Sequence, residues 1–338
     1  MMFAVTDLPI PIVAAPMAGG PSTVDMAVAV SEAGGLGFIA GGYVSPQRLA
    51  DDLAAAAARS SAPIGVNLFV PQPSTATPAA LDRYAEALAP LADRYRTRVG
   101  APEFDDDGWE QKLEAVADAR PAVVSFTFGT PARDVLTALA HRGIATLVTV
   151  TSVDEAAAAV DAGAGGLVVQ GPGAGGHRGT FDPDAEPATV PLTELLTAIG
   201  AAHSVPVIAA GGLADPADIA AARRAGACAA QVGTALLLAD EAGTNPVHRA
   251  ALAARRSGAT VVTRAFSGRW ARSLTNTFTA GLSPLAPAGY PQVNRMTAPI
   301  RAAAVAAGDP DGTSLWAGVG HAATRPGPAA EIIAALAG

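Results

Sequence analysis

Short apolar, β-branched runs recur along the chain, and each is followed by a stretch whose apolar positions fall at helical spacing. The runs are PIVAAP (11–16), GLGFIAG (35–41), PIGVNLFV (63–70), AVVSFTF (122–128), ATLVTV (145–150), GLVVQG (166–171), PVIAAGG (206–212) and ACAAQVG (227–233). They are continuous rather than alternating, the pattern of strands buried on both faces, as in a parallel sheet covered by helices.

The segments between them carry helix punctuation. Ser45 before Pro46 and Asp215 before Pro216 each place a capping side chain ahead of a proline at the first helical position. Gly34, Gly143, Gly163 and Gly226 stand where a left-handed C-cap favours glycine. Eight strand–helix units within about 240 residues have the size and order of an α/β (β/α)8 TIM barrel. A doubly wound sheet is the alternative, but it seldom needs eight evenly spaced parallel strands.

Two segments break the repeat. Residues 71–120 are too long for one loop and contain helical patterns, so they are predicted to form a helical extension after strand three. Residues 241–338 follow the eighth strand and are rich in Pro and Gly; they are predicted to form a helical and loop cap over a barrel spanning 1–240.

Composition narrows the function. The chain has 338 residues, half of them apolar, and mean hydropathy is +0.31. No apolar run approaches the ~18 residues of a membrane-spanning helix, and MMFAVTDLPIP lacks a signal-peptide pattern. Net charge is −8 and the 22 Lys and Arg residues form no basic block, which argues against nucleic acid as a partner. Cys228 is the only cysteine, excluding an intramolecular disulfide and a multi-cysteine metal site and predicting a reducing, cytoplasmic setting. Asp105-Asp106-Asp107 reads as a solvated loop, and no HExxH spacing is present, so no catalytic metal is expected. Whether the chain forms a homodimer is left open.

The stretch GPGAGGHRGT (171–180) contains a GxGxxG, the fingerprint of a dinucleotide site if it opens a helix. Here HRGTFDPDAEP follows, and its prolines and turn residues oppose a helix. The loop instead leaves strand six at the C-terminal face of the barrel, where active sites of this fold lie, and offers His177 as its titratable group. Gly211 and Gly212 after strand seven, with Gly233 and Thr234 after strand eight, occupy the two loops with which barrels often hold phosphate. His141 and His203 fall near helix C-termini, while His248 and His321 lie in the cap region; none is singled out for catalysis. Cys228 is expected to be a buried small apolar side chain.

With these residues in place, the sequence resembles the class I nitronate monooxygenases, formerly 2-nitropropane dioxygenases. PIVAAPMAGG, GVNLF, VVQGPGAGGHRG, AAGGLAD, QVGTALL and FSGRWARSLTN carry the resemblance from the first strand into the cap. It implies FMN used without a pyridine nucleotide, and oxidation of alkyl nitronates by O2 to a carbonyl compound and nitrite. Propionate 3-nitronate is the expected substrate and detoxification the expected role. By position, Ala15, Pro16 and Met17 would line the flavin ring, and Asn67 and Gln170 would bond its polar edge. Gly175, Gly176, Gly211, Gly212, Gly233 and Thr234 would cradle its phosphate. His177 would be catalytic, with Ser267 and Arg269 closing from the cap and Arg269 or Arg272 available to an anion. Ala14 departs from the glutamine that many relatives carry, and Tyr290 is the only tyrosine after residue 240. An FMN-dependent enoyl-acyl-carrier-protein reductase, which would take electrons from NADH or NADPH, is the alternative.

Overall fold

The computed structural model describes residues 3–254 and 259–338; residues 255–258 of the expected cap lie outside them. In chain order the strands are β1 (Ile12–Ala14), β2 (Gly37–Ala40), β3 (Ile64–Phe69), β4 (Val123–Thr127), β5 (Ala145–Val150), β6 (Gly166–Gln170), β7 (Gly176–His177), β8 (Val207–Ala210), β9 (Ala229–Val232), β10 (Thr260–Thr263) and β11 (Ala271–Leu274). The helices are α1 (Val24–Glu32), α2 (Pro46–Arg59), α3 (Pro78–Arg94), α4 (Trp109–Ala119), α5 (Arg133–His141), α6 (Val153–Ala162), α7 (Leu192–Ala202), α8 (Pro216–Arg224), α9 (Pro246–Ala253), α10 (Thr277–Leu282), α11 (Gln292–Ala306) and α12 (Ala329–Ala337).

Each of the eight apolar runs holds one strand of a parallel sheet ordered β1-β9-β8-β6-β5-β4-β3-β2. The sheet closes on itself where Ala14 N donates to the Leu36 carbonyl at 2.9 Å and Leu36 N to that of Ile12 at 3.0 Å. This is the expected (β/α)8 barrel. The helix boundaries follow the local chemistry. Ser45 accepts from Arg48 N and Asp215 from Asp218 N, each ahead of its proline, and Gly34, Gly143, Gly163 and Gly226 all adopt positive φ.

Alternation along the strands separates three regions. Outward residues such as Val66, Val124 and Phe126, and Val148, Leu167 and Val169, pack under the surrounding helices. Inward residues near the strand starts (Val13, Phe38, Val123, Leu147, Val168, Ile208 and Ala229) fill the barrel interior, which Val5 and Leu8 plug from below. Two residues further along, the inward positions turn polar: Ser125, Thr149, Gln170 and Gln231 face a cavity at the C-terminal mouth. A strand side chain lies on the same face every second residue, so one register builds both the core and the floor of the site.

The long connection after β3 divides in two. α4 packs through Val116 and Leu113 against the α2 and β3 side of the barrel, taking the place of the third barrel helix. α3 joins α10 and α11 in a separate core built from Leu81, Tyr84, Phe266, Phe278 and Met296. At the chain's far end, α12 returns to the barrel wall, its Ile333 packing with Met26 of α1 and Ile219 of α8.

Candidate active site

A cavity of about 460 Å³ opens at the C-terminal ends of the barrel strands, beneath α11 and the 314–324 segment. Every expected cofactor residue lines it: Ala15, Pro16 and Met17 after β1, Asn67 on β3, Gln170 on β6, Gly175 and Gly176, Gly211 and Gly212 after β8, and Gly233 and Thr234 after β9. His177 lines it too.

The glycine–histidine loop opens no helix. It leaves β6, and its Gly176 and His177 form β7, pairing antiparallel with Arg272 and Ala271 of β11. The loop is thereby sewn to β11 by main-chain hydrogen bonds, extended by Arg178 N donating to the Trp270 carbonyl at 2.7 Å. Gln170 clasps the same loop: its Nε2 donates to the His177 carbonyl at 3.0 Å and its Oε1 accepts from Gly179 N at 2.9 Å. Most of the Gln170 amide is therefore engaged in holding His177 in place. A Cβ on Gly175 would stand 2.4 Å from Gly318 N, so glycine there lets the loop and the 314–324 segment meet.

His177 Nε2 lies 2.8 Å from Ser267 Oγ. Ser267 Oγ is also 3.3 Å from the Arg269 carbonyl; donating there, it accepts from Nε2–H and leaves Nδ1 as a bare lone pair, a tautomer assigned from the bonding pattern. The ring sits among Phe128, Tyr290 and Trp316, with centroids 5.7, 6.1 and 5.4 Å away. Burial first, and then the Arg269 and Arg301 charges, push its pKa down to about 3, so the imidazole is neutral at neutral pH.

Two cavity-wall aromatics, Tyr43 and Phe128, have φ of +66° and +76°. Bulky side chains rarely adopt this region, at a cost of about 1–3 kcal/mol each. Tyr43 is held there by Asp107, whose Oδ1 accepts from Tyr43 N at 3.0 Å. The other Asp107 oxygen meets the buried Lys112 ammonium at 2.7 Å. The acidic loop expected to be merely solvated thus anchors one wall of the site.

The cap residues depart from expectation. Ser267 and Arg269, each 1% exposed, lie behind His177 and do not line the cavity. Arg269 stacks 4.1 Å above the Phe128 ring and donates to the Thr180 carbonyl, while Arg272 is spent on the Pro172 carbonyl and Thr260. Among the described residues, the arginine that faces the cavity is Arg301 of α11. His248, on α9, is buried at the cavity edge, with Nε2 unpartnered among the described residues and its pKa pushed down to about 4 by burial. Cys228 is half-buried just before β9 rather than fully enclosed. Among the described residues, no group of three or more His, Cys, Asp or Glu side chains is placed to hold a metal ion.

The nitronate monooxygenase family model matches residues 4–338. The chain belongs to the nitronate monooxygenase family. It is 39% identical to a nitronate monooxygenase of Pseudomonas aeruginosa, covering 96% of this chain and 95% of that one. The crystal structure of a nitroalkane oxidase from Streptomyces ansochromogenes superposes with a TM-score of 0.95 at 45% identity, covering 98% and 96% of the two chains. FabK from Thermotoga maritima is more distant, with a TM-score of 0.77 at 26% identity over 98% and 93% of the chains. Family membership makes the protein an enzyme of the oxidoreductase class. No helix among the described residues is long and apolar enough to cross a membrane.

Proposed function

We propose that this enzyme oxidises alkyl nitronates with O2, using FMN, to a carbonyl compound and nitrite, with propionate 3-nitronate as a substrate and detoxification as its cytoplasmic role. The carrying observation is His177: a neutral imidazole fixed by Ser267, with Nδ1 making no bond among the described residues, beside a cavity large enough for a cofactor and a small substrate.

The residues present fit FMN. The backbone N–H groups of Gly211, Gly212, Gly233 and Thr234 find no acceptor among the described residues, as expected of a cradle for a phosphate. Asn67 uses its Nδ2 on Ser125 and Thr127, leaving Oδ1 to accept from a ring N–H, while Ala15, Pro16 and Met17 supply an apolar wall. FMN, when bound, supplies the electron-transfer and oxygen chemistry.

The chain's own contribution is placement. A nitronate is already deprotonated at carbon, so the net change, in which two nitronates share one O2 and give two carbonyl products and two nitrites, adds one oxygen atom to each carbon without calling for a strong base. An imidazole whose pKa is pushed down to about 3 meets that requirement. Its Nδ1 carries a lone pair and bonds the anion as a donor only once protonated, as the anion's charge raises the imidazole's basicity. The aromatic rings of Phe69, Phe128 and Trp316 exclude water from the reacting carbon.

The proposal is tested by oxygen uptake and nitrite release from FMN-loaded protein with propionate 3-nitronate, run beside NADH. Nitronate-dependent uptake with no NADH consumption supports it. NADH oxidation without nitronate turnover replaces it with the reductase alternative.

A further inference from the structure

α11 turns one face toward the cavity, and the residues on that face are Asn294, Ala298 and Arg301, at i, i+4 and i+7. The Arg301 guanidinium is held rigidly. Its Nε donates to Thr297 Oγ1 at 3.1 Å, and its Nη2 donates to the Asn294 carbonyl at 3.1 Å and to Asn294 Oδ1 at 2.7 Å. Thr297 is fixed in turn by donating to the Phe266 carbonyl. Nη1 has no hydrogen-bond partner, and no carboxylate lies within 4.0 Å of the guanidinium, among the described residues.

The donor set has one sign. Because Asn294 Oδ1 is taken by Arg301, the Asn294 amide faces its surroundings with N–H donors, beside the free Arg301 Nη1. Arg178, Arg269 and Arg272 give their guanidinium groups to carbonyls and stay out of the cavity. Arg301 is thus the one arginine that contributes a cation to the cavity wall among the described residues. A preorganised fork with a free N–H, set among aromatic walls that lower the local dielectric, is the arrangement that binds a carboxylate.

We infer that Arg301, assisted by Asn294, is a specificity-determining residue that anchors a carboxylate carried by the substrate away from its nitronate carbon. This rests on the nitronate reading above and deepens it: His177 faces the reacting end, and Arg301 selects nitronates with a second negative charge over those with an alkyl tail.

The test uses FMN-loaded wild type, Arg301→Gln and Arg301→Lys, each given propionate 3-nitronate and butyl-1-nitronate. Binding of 3-nitropropionate is measured separately by calorimetry. The expected result is a kcat/KM ratio, carboxylate over alkyl, that drops by about tenfold to a hundredfold in Arg301→Gln, as loss of a charge-assisted pair implies. The loss falls mainly on KM, Arg301→Lys recovers part of it, and 3-nitropropionate binding weakens in parallel. A ratio unchanged by Arg301→Gln, or 3-nitropropionate binding indifferent to it, overturns the inference. If neither nitronate is turned over by wild type while 3-nitropropionate binding still depends on Arg301, the nitronate reading fails and the carboxylate anchor stands.

Discussion

His177 Nε2 and Ser267 Oγ meet at 2.8 Å across 90 residues of sequence, joining the barrel loop that carries the imidazole to the cap segment that closes behind it. The contact fixes ring orientation and tautomer without placing Ser267 in the cavity. Ser267→Ala is expected to lower kcat by about threefold to tenfold, the worth of one hydrogen bond, with KM little changed and Ser267→Thr recovering part of the loss. Steady-state kinetics on a nitronate checks this. A KM effect with kcat intact would place Ser267 on the binding path instead.

The depressed basicity of His177 bears on substrate form. With a pKa pushed down to about 3, it is a poor acceptor for a proton bound to carbon. A preformed nitronate is expected to be turned over at least about a hundredfold faster than the parent nitroalkane, the lower range of what a competent general base contributes. Initial rates with nitroalkane, taken before it ionises in solution, test this. Equal rates would show that the protein removes the proton itself.

His177 and His248, with pKa values pushed down to about 3 and about 4, make stability fall with acid. Both are neutral when buried, while in the unfolded chain a histidine titrates near ~6.5. Below that pH the unfolded state binds protons that the folded state refuses, so stability present above pH ~6.5 is lost as pH falls toward ~4. Melting curves from pH 7 to pH 5 are expected to drop in wild type and to drop less in His248→Gln. Parallel curves would mean that His248 is not the buried neutral group described.

Lys112 supports the site from beneath. Its ammonium, 2% exposed, meets Asp107 at 2.7 Å, and Asp107 holds Tyr43 in its left-handed conformation. Lys112→Met leaves that carboxylate without its partner and is expected to cost about 3–5 kcal/mol in urea unfolding, with Asp107→Asn restoring part of the loss in the double variant.

The barrel was legible because its signal is local: each strand is a continuous apolar run, and each cap residue acts within its own turn. The floor of the site was legible in part. Asn67 and Gln170 stand out as polar residues near the C-terminal ends of apolar runs, and Ser125, Thr149 and Gln231 carry the same mark. Period-two counting from Val123, Leu147 and Ala229 could have found those three. Arg301 and Trp316 carry no such mark. Each reaches the cavity only because the chain after β9 folds back over the C-terminal ends of the strands, and Arg301 stands where an ordinary exposed helix residue would. The FSGRWARSLTN motif misdirected in the opposite sense. Its arginines looked available to an anion, yet the turn at Gly268, with φ of +82°, buries Arg269 against Phe128.

Gly175 tests the joint between loop and cap. A methyl group there would press on Gly318 N and the Ala317 carbonyl carbon, at 2.4 and 2.6 Å. Gly175→Ala is expected to weaken FMN binding by at least about tenfold, since opening the joint removes more than one hydrogen bond's worth of contact, while the far-ultraviolet circular dichroism stays that of the wild type. Unchanged FMN affinity would show that the joint does not shape the cavity.

Whether the cavity holds FMN and passes electrons to it from a nitronate is decided by visible absorbance. The FMN-loaded protein is titrated under anaerobic conditions with propionate 3-nitronate and separately with NADH. The oxidised-flavin absorbance is expected to fall with nitronate and to stay unchanged with NADH. Loss of absorbance with NADH alone, or with neither, would contradict the proposed reaction.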